Sequence, residues 1–235
     1  MNSVSTIFTS LNVSSFARFF DHTLLKPIAT AVEIDKVCDE ALEHCFATVC
    51  VNGFYVPQVA ARLKGSSVMP IAVIGFPLGA MTTEDKVVET KSLIGKGAQE
   101  IDMVLNLGAF LGNARDVAKA DMAAVVKAAG NVPVKVIIET AYLSPEQIKV
   151  ATQYCVETGA AFVKTSTGFA SRGASLEDVS IMAMTIRDLK SSLKIKASGG
   201  IRTLEAARAM IEAGAHRIGS SNSVALVKEF AALKL

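Results

Sequence analysis

Short runs rich in Val and Ile alternate along this chain with longer Ala-, Glu- and Lys-rich segments whose apolar residues recur at helical spacing. Eight short runs stand out, at residues 19–24, 47–52, 71–76, 100–106, 134–140, 162–167, 194–198 and 217–219. Between them, Ile34, Val37, Cys38, Ala41, Leu42 and Cys45 form one apolar stripe, and Met122, Val125, Val126 and Ala129 another. Thr83 before Glu84, Ser144 before Pro145-Glu146 and Thr203 before Leu204-Glu205 read as helix starts, where a hydroxyl accepts from an unpartnered backbone N–H. Gly65, Gly97, Gly130, Gly159 and Gly214 read as helix ends. Eight β-then-α units with short connections predict a parallel sheet with crossover helices. The expected fold is α/β, a single-domain (β/α)8 TIM barrel over residues 1–235, with residues 1–15 an N-terminal extension or helix. A doubly wound open sheet would show the same alternation. The count of eight, and the lack of a G-x-G-x-x-G opening the chain, favour closure.

Barrel strands are expected to be apolar on both faces, yet several of these runs carry polar residues on one of them. Ile101, Met103 and Leu105 share a face, leaving Asp102 and Asn106 on the other. Val163 points outward, so Lys164 and Ser166 point in; Ile195 points outward, so Lys196 points in. Val134, Val136 and Ile138 alternate with Lys135 and Glu139, and Cys50 and Asn52 face inward from the second run. Buried charge is costly unless paired. For Lys135, a plain ion pair with Glu139 or Asp102 is as good a reading as a chemical role. Lys164 and Lys196 are different. They lie on neighbouring strands, about 4.8 Å apart, where like charge and desolvation push at least one amine below its ordinary pKa. A neutral amine is a nucleophile for carbonyls. Asp102 adds a carboxylate that can hold Lys196 protonated and pass protons.

Three small-residue loops follow the last three runs: Thr165-Ser166-Thr167-Gly168, Ser198-Gly199-Gly200-Ile201-Arg202 and Gly219-Ser220-Ser221-Asn222. Each alone is an ordinary turn. Together, at the end of the barrel where such folds hold phosphate, they read as an anion cradle.

Composition narrows the function classes. With 235 residues, 51% of them hydrophobic, and a net charge of +2, the chain has no basic run suited to nucleic acid or a membrane surface, and no apolar stretch long enough to span one. Cys38, Cys45, Cys50 and Cys155 show no zinc spacing, so no metal or other cofactor is expected, and reduced thiols in the cytoplasm are. Residues 1–15 lack the basic start, apolar block and cleavage site of a signal peptide. Cys50 reads as a buried filler, with reaction toward electrophilic aldehydes as the alternative. In the stretch Asp21-His22-Thr23-Leu24, support of the site by Asp21 is one reading and a structural hydrogen bond the better one; His44 and His216 carry no metal spacing.

At this point the chain resembles the deoxyribose-phosphate aldolase family along nearly its whole length. The matching stretches are Asp21-His22-Thr23-Leu24-Leu25-Lys26-Pro27, Val49-Cys50-Val51-Asn52, Gly75-Phe76-Pro77-Leu78-Gly79, Glu100-Ile101-Asp102-Met103-Val104, Lys135-Val136-Ile137-Ile138-Glu139-Thr140, Phe162-Val163-Lys164-Thr165-Ser166-Thr167-Gly168 and Lys196-Ala197-Ser198-Gly199-Gly200-Ile201-Arg202. The resemblance implies a class I, metal-free aldolase that cleaves 2-deoxy-D-ribose 5-phosphate to D-glyceraldehyde 3-phosphate and acetaldehyde. It implies Lys164 as the Schiff-base residue and Asp102 and Lys196 as proton donors and acceptors. Gly168, Gly199, Gly200, Arg202, Gly219, Ser220 and Ser221 would hold the phosphate. A homodimer or higher homo-oligomer is expected. Two positions depart from the pattern: Phe169 stands where some members carry Lys, and Ser198 where Pro or Gly is common. The former removes one cation from the phosphate site. The C-terminal segment ends in Lys234-Leu235 without the Tyr that some members place near the phosphate. The competing readings are another Schiff-base barrel aldolase and a non-catalytic sugar-phosphate binding protein.

Overall fold

The computed structural model describes residues 6–112 and 114–233; Lys234-Leu235 and the first five residues of the expected N-terminal extension lie outside the described residues. Two short helices, α1 (Thr6–Ser10) and α2 (Val13–Ala17), precede β1 (Phe20–Leu24) and α3 (Ala31–His44). Then follow β2 (Thr48–Val51), α4 (Val56–Arg62), β3 (Met69–Ile74), α5 (Thr83–Gly95), β4 (Glu100–Val104), α6 (Leu107–Leu111) and α7 (Arg115–Ala129). The second half continues through β5 (Val134–Ile137), α8 (Pro145–Glu157), β6 (Phe162–Lys164), α9 (Leu176–Asp188), β7 (Lys194–Ser198), α10 (Leu204–Glu212), β8 (Arg217–Ser220) and α11 (Ser223–Ala232). All eight strands pair in parallel in chain order, and β8 pairs back to β1, so the sheet closes. The open-sheet alternative is thereby excluded. No helix among the described residues is long and apolar enough to cross a membrane.

The outward faces of the strands pack against the helices. Ile101, Met103, Val134, Val136, Val163, Ile195 and Ile218 join the helical stripes in one buried apolar cluster. Inside the barrel a much smaller apolar patch, Leu25, Cys50, Ile71 and Val73, occupies the side built by β2 and β3. Charged side chains from β1 and from β4 to β8 take up much of the rest of the interior.

Ser144 and Thr203 cap their helices through the backbone N–H of Gln147 and Ala206, as their spacing predicts. The cap of α5 is corrected by one residue. Thr82, not Thr83, accepts from the Asp85 N–H, which leaves the Thr83 hydroxyl free to donate to Asp121. Gly65, Gly97, Gly130, Gly159 and Gly214 all have positive φ. The strands β4 and β5 end two to three residues earlier than the apolar runs suggested. Asn106 turns away from the strand to cap α6 at the Ala109 N–H, and Glu139 enters the left-handed region at φ 51°. Each gives up its strand position to shape a loop at the C-terminal mouth.

Candidate active site

Asp102 is the hub of the barrel interior. It stands mid-strand in β4, directly opposite Lys135 of β5, while Lys164 of β6 stands opposite Lys196 of β7. Because strand side chains alternate, all four point inward and all are buried. Asp102 Oδ2 accepts from Lys164 Nζ at 2.7 Å and from Lys196 Nζ at 2.8 Å. Its Oδ1 accepts from Lys135 Nζ at 2.9 Å. Lys135 also donates to Glu100. Of the two partners expected for Lys135, Asp102 is the one the structure shows and Glu139 is not. The partners of Lys135 are Asp102 and Glu100, whereas Glu139 turns outward to accept from the backbone N–H and hydroxyl of Thr167.

A second carboxylate, Asp21, joins the interior, which favours support of the site, the weaker reading of the Asp21-His22 pair. Asp21 alternates with His22 in β1, so His22 faces α3, where its Nε2 meets Glu40 at 2.8 Å, and Asp21 faces the interior. Asp21 Oδ2 forms an ion pair with Lys196 Nζ at 2.6 Å, and Oδ1 accepts from Arg217 Nη1 at 2.7 Å. The same inside–outside alternation that located Lys164 would have placed Asp21 here. The buried cluster therefore sets the carboxylates of Asp21, Glu100 and Asp102 against the cations Lys135, Lys164, Lys196 and Arg217. It holds one positive group more than it can balance, and that excess disappears if one amine is neutral.

The titration directions single out which amine it is. Burial, then the Lys196 charge, outweighs Asp102 and pushes the Lys164 pKa below its ordinary value. Burial acts on Lys196 too, but Asp102 and Asp21 overcome it and hold that ammonium well above the usual range. Asp102 is likewise driven far below the usual carboxylate range, since Lys135, Lys164 and Lys196 outweigh its burial. Cys50 sits beside these amines, and burial pushes its thiol up to about 11, so it is a neutral filler at physiological pH.

Lys164, 3% exposed, reaches the floor of a cleft of about 300 Å³ at the C-terminal mouth. Gly168, Gly199, Gly200, Arg202, Gly219, Ser220 and Ser221 all line this cleft, as the three loops predict. Asp102 and Lys196 lie beneath the floor. The Ser198 hydroxyl donates to the Ser166 carbonyl at 2.7 Å, tying the sixth and seventh loops together, a tie that Gly or Pro could not make. The Ser220 hydroxyl donates to the Ile201 carbonyl at 3.0 Å and ties the seventh loop to the eighth. Gly219 must be glycine. A Cβ there would lie 2.8 Å from the Ser198 Cβ and 3.1 Å from Lys196 Cε, displacing the ammonium from Asp102. The cleft has one further cation, Lys26, from the loop after β1. Lys26 belongs to the Asp21–Pro27 stretch, and its distance along the chain from Arg202 hides their shared cleft from any local pattern. Phe169 forms the opposite wall, edge-on to Phe76 with ring centroids 5.4 Å apart. Among the described residues, no group of three His, Cys, Asp or Glu side chains is placed to hold a metal ion.

An amine whose pKa is lowered, a second held protonated and a carboxylate shared between them, beneath a cleft lined by small residues and two cations, form an arrangement able to carry out imine chemistry. Comparison with known proteins agrees. Residues 16–227 match the model of the DeoC/LacD family aldolases.

The chain belongs to that family.

A deoxyribose-phosphate aldolase from Brevibacillus brevis is 51% identical over 210 residues, covering 89% of this chain and 94% of its own. A crystal structure from Coccidioides immitis superposes with a TM-score of 0.91 at 42% identity, over 94% of this chain and 87% of that one. A tetrameric deoxyribose phosphate aldolase from Aeropyrum pernix superposes at 0.87 with 31% identity, covering 94% and 93% of the two chains. Within the DeoC/LacD family, then, the inward Lys164–Asp102–Lys196 arrangement sits in a barrel shared over almost the entire chain.

Proposed function

We propose that this chain is a class I aldolase that reversibly cleaves 2-deoxy-D-ribose 5-phosphate to D-glyceraldehyde 3-phosphate and acetaldehyde, with Lys164 as the imine-forming residue. The observation that carries this reading is the Lys164 amine on the floor of a cleft lined by Gly, Ser and Arg202, 2.7 Å from a carboxylate that also grips a protonated lysine. The relatives' names supply the substrate.

In this scheme neutral Lys164 adds to the C1 aldehyde of the open-chain sugar. Lys196, held as ammonium by Asp102 and Asp21, donates the proton with which the carbinolamine hydroxyl leaves as water. One positive charge thereby moves from Lys196 to the iminium, which is the electron sink for bond cleavage. Lys196, now neutral, takes the proton from the C3 hydroxyl, with Asp102 bridging the two nitrogens. The C2–C3 bond breaks, glyceraldehyde 3-phosphate departs, and the enamine remains on Lys164. Protonation at C2 and addition of water release acetaldehyde and the free amine. General acid–base steps of this kind contribute about 10²–10⁴ in rate.

The test is turnover of 2-deoxyribose 5-phosphate with both products quantified, and the reverse reaction with acetaldehyde, pyruvate or dihydroxyacetone as donor. Equimolar acetaldehyde and triose phosphate, with acetaldehyde as the accepted donor, are expected. Acceptance of pyruvate or dihydroxyacetone alone would make it a different barrel aldolase. Tight binding without turnover would make it a sugar-phosphate binding protein.

Lys26 and Arg202 are proposed to grip the phosphate together, Lys26 supplying the cation absent at Phe169. Lys26→Ala is expected to raise KM for 2-deoxyribose 5-phosphate about tenfold, since a hydrogen bond to a charged group contributes roughly 1.5–3 kcal/mol and an exposed one lies at the low end. KM for free 2-deoxyribose should not move; an equal loss on both sugars would remove Lys26 from the phosphate site. A homo-oligomer is proposed by likeness to the Aeropyrum pernix tetramer. A reducing, cytoplasmic setting is proposed from the four free cysteines.

A further inference from the structure

Arg217 opens β8 at the N-terminal end of the barrel, the end opposite the cleft. There it lines a second cavity, of about 460 Å³, with Glu100, Phe162 and Lys194. It makes no contact with the floor where Lys164 emerges, and the scheme above does not use it. Its partners give it a connection all the same. Arg217 Nη1 holds Asp21 Oδ1, and Nη2 lies 3.7 Å from Glu100 Oε1. The second oxygen of each carboxylate is turned to a buried lysine: Asp21 to Lys196, Glu100 to Lys135. Arg217 therefore takes half of two carboxylates that would otherwise belong wholly to the lysines.

We propose that Arg217 is a positioning residue for the aldolase reaction: from the far mouth of the barrel it keeps the buried cluster one positive charge in excess, and so makes Lys164 the amine that gives up its proton. The inference rests on the aldolase reading and deepens it. Without the guanidinium, three carboxylates would face three lysines, and nothing would oblige Lys164 to be neutral. The remaining groups around both residues do not supply that excess. Lys164 meets Asp102 from β4, Lys196 from β7 and Cys50 from β2, the last a neutral thiol. Arg217 meets Asp21 from β1, Glu100 and, farther off, Asp102 from β4, and it shares the Phe162 ring with Lys135 and Lys194. Lys194 is exposed at the barrel mouth, where water screens its charge. His216, beside Arg217 at a neighbouring cavity, has its pKa lowered by burial and then by Lys194, so it is neutral at physiological pH.

The size of the effect follows from Coulomb's law. β8 and β6 are two strands apart, roughly 10 Å. At an effective dielectric of about 20, one unit charge at that distance moves a pKa by roughly one unit.

The experiment is the pH dependence of kcat/KM for 2-deoxyribose 5-phosphate on the full chain. In Arg217→Gln the acid-side midpoint should move up by about one pH unit, with activity on the acid limb falling about tenfold and the alkaline plateau retained. Arg217→Lys should restore the midpoint. Glu100→Gln, which removes a negative charge from the same cluster, should move it down, and gives an independent reading if Arg217→Gln does not fold. A lowered plateau with an unmoved midpoint would mean that Arg217 only supports the structure, and would overturn the proposal. Borohydride trapping at alkaline pH separates the two levels of the account. If wild type traps nothing on Lys164, the aldolase reading fails; if wild type and variants trap there and no midpoint moves, only the role of Arg217 fails.

Discussion

Lys164→Met should lower kcat/KM by about 10⁴-fold or more, the scale on which removal of a covalent nucleophile acts, while the protein stays folded and at least as stable as wild type. The two halves of this expectation come from one structural fact. Lys164 is the surplus cation of the cluster, so its removal leaves Asp21, Glu100 and Asp102 matched by Lys135, Lys196 and Arg217. Asp102 keeps two of its three lysine partners. A methionine of similar length fills the space without an unpaired charge. Activity is measured by release of acetaldehyde and stability by thermal unfolding. Near-normal turnover would remove Lys164 from the chemistry. A large loss of stability would mean that its ammonium is needed to hold Asp102, contrary to the charge count.

Asp102→Ala should do what Lys164→Met does not: damage both function and fold. Asp102 is fully buried and accepts from all three inward lysines. Its removal strands Lys164 with no carboxylate and leaves Lys196 and Lys135 with one each. Breaking a buried pair from one side costs about 3–5 kcal/mol, which for a chain of this size is a fall in Tm of roughly 6–20 °C. Turnover should drop by about 10²–10⁴ with the loss of the proton bridge. The stability difference has a pH signature. The Asp102 pKa is depressed in the folded state, so its contribution is complete above the ordinary aspartate value of about 3.9 and declines as pH falls below it. The gap between wild type and variant should therefore be constant near neutrality and narrow in acid. A gap that widened in acid would contradict the depressed carboxyl.

What the chain discloses by itself and what it hides have the same physical cause. Alternation along a strand is a property of five residues, so Lys164, Lys196, Asp102 and Cys50 could be turned inward from the spacing of their apolar neighbours. Closure of the barrel followed from eight repeats of one unit. Partners are another matter. Lys135 has Glu139 four residues on, yet it pairs with Glu100 and Asp102 of β4, because Glu139 leaves the strand for the left-handed region and turns to Thr167. Asp21 and Arg217 are 196 positions apart and meet only because β8 closes against β1. Lys26 joins Arg202 in one cleft for the same reason. Lys86 lies in α5 with no apolar stripe to mark it, and it is fully buried against Asp121 of α7 and the Val104 carbonyl. Its pairing depends on how two helices cross, which no local pattern records. The exchange of Thr83 for Thr82 as a helix cap is a smaller instance: two adjacent threonines offer the same hydroxyl, and the Asp121 acceptor decides between them.

The central claim is that Lys164, rather than Lys196 or Lys135, forms the imine. It is tested most directly by reducing the enzyme with borohydride in the presence of 2-deoxyribose 5-phosphate or acetaldehyde and mapping the modified lysine by peptide mass spectrometry. A single adduct on Lys164, absent without substrate, is the predicted result. An adduct on Lys196, or none at all in an enzyme that turns over, would contradict it.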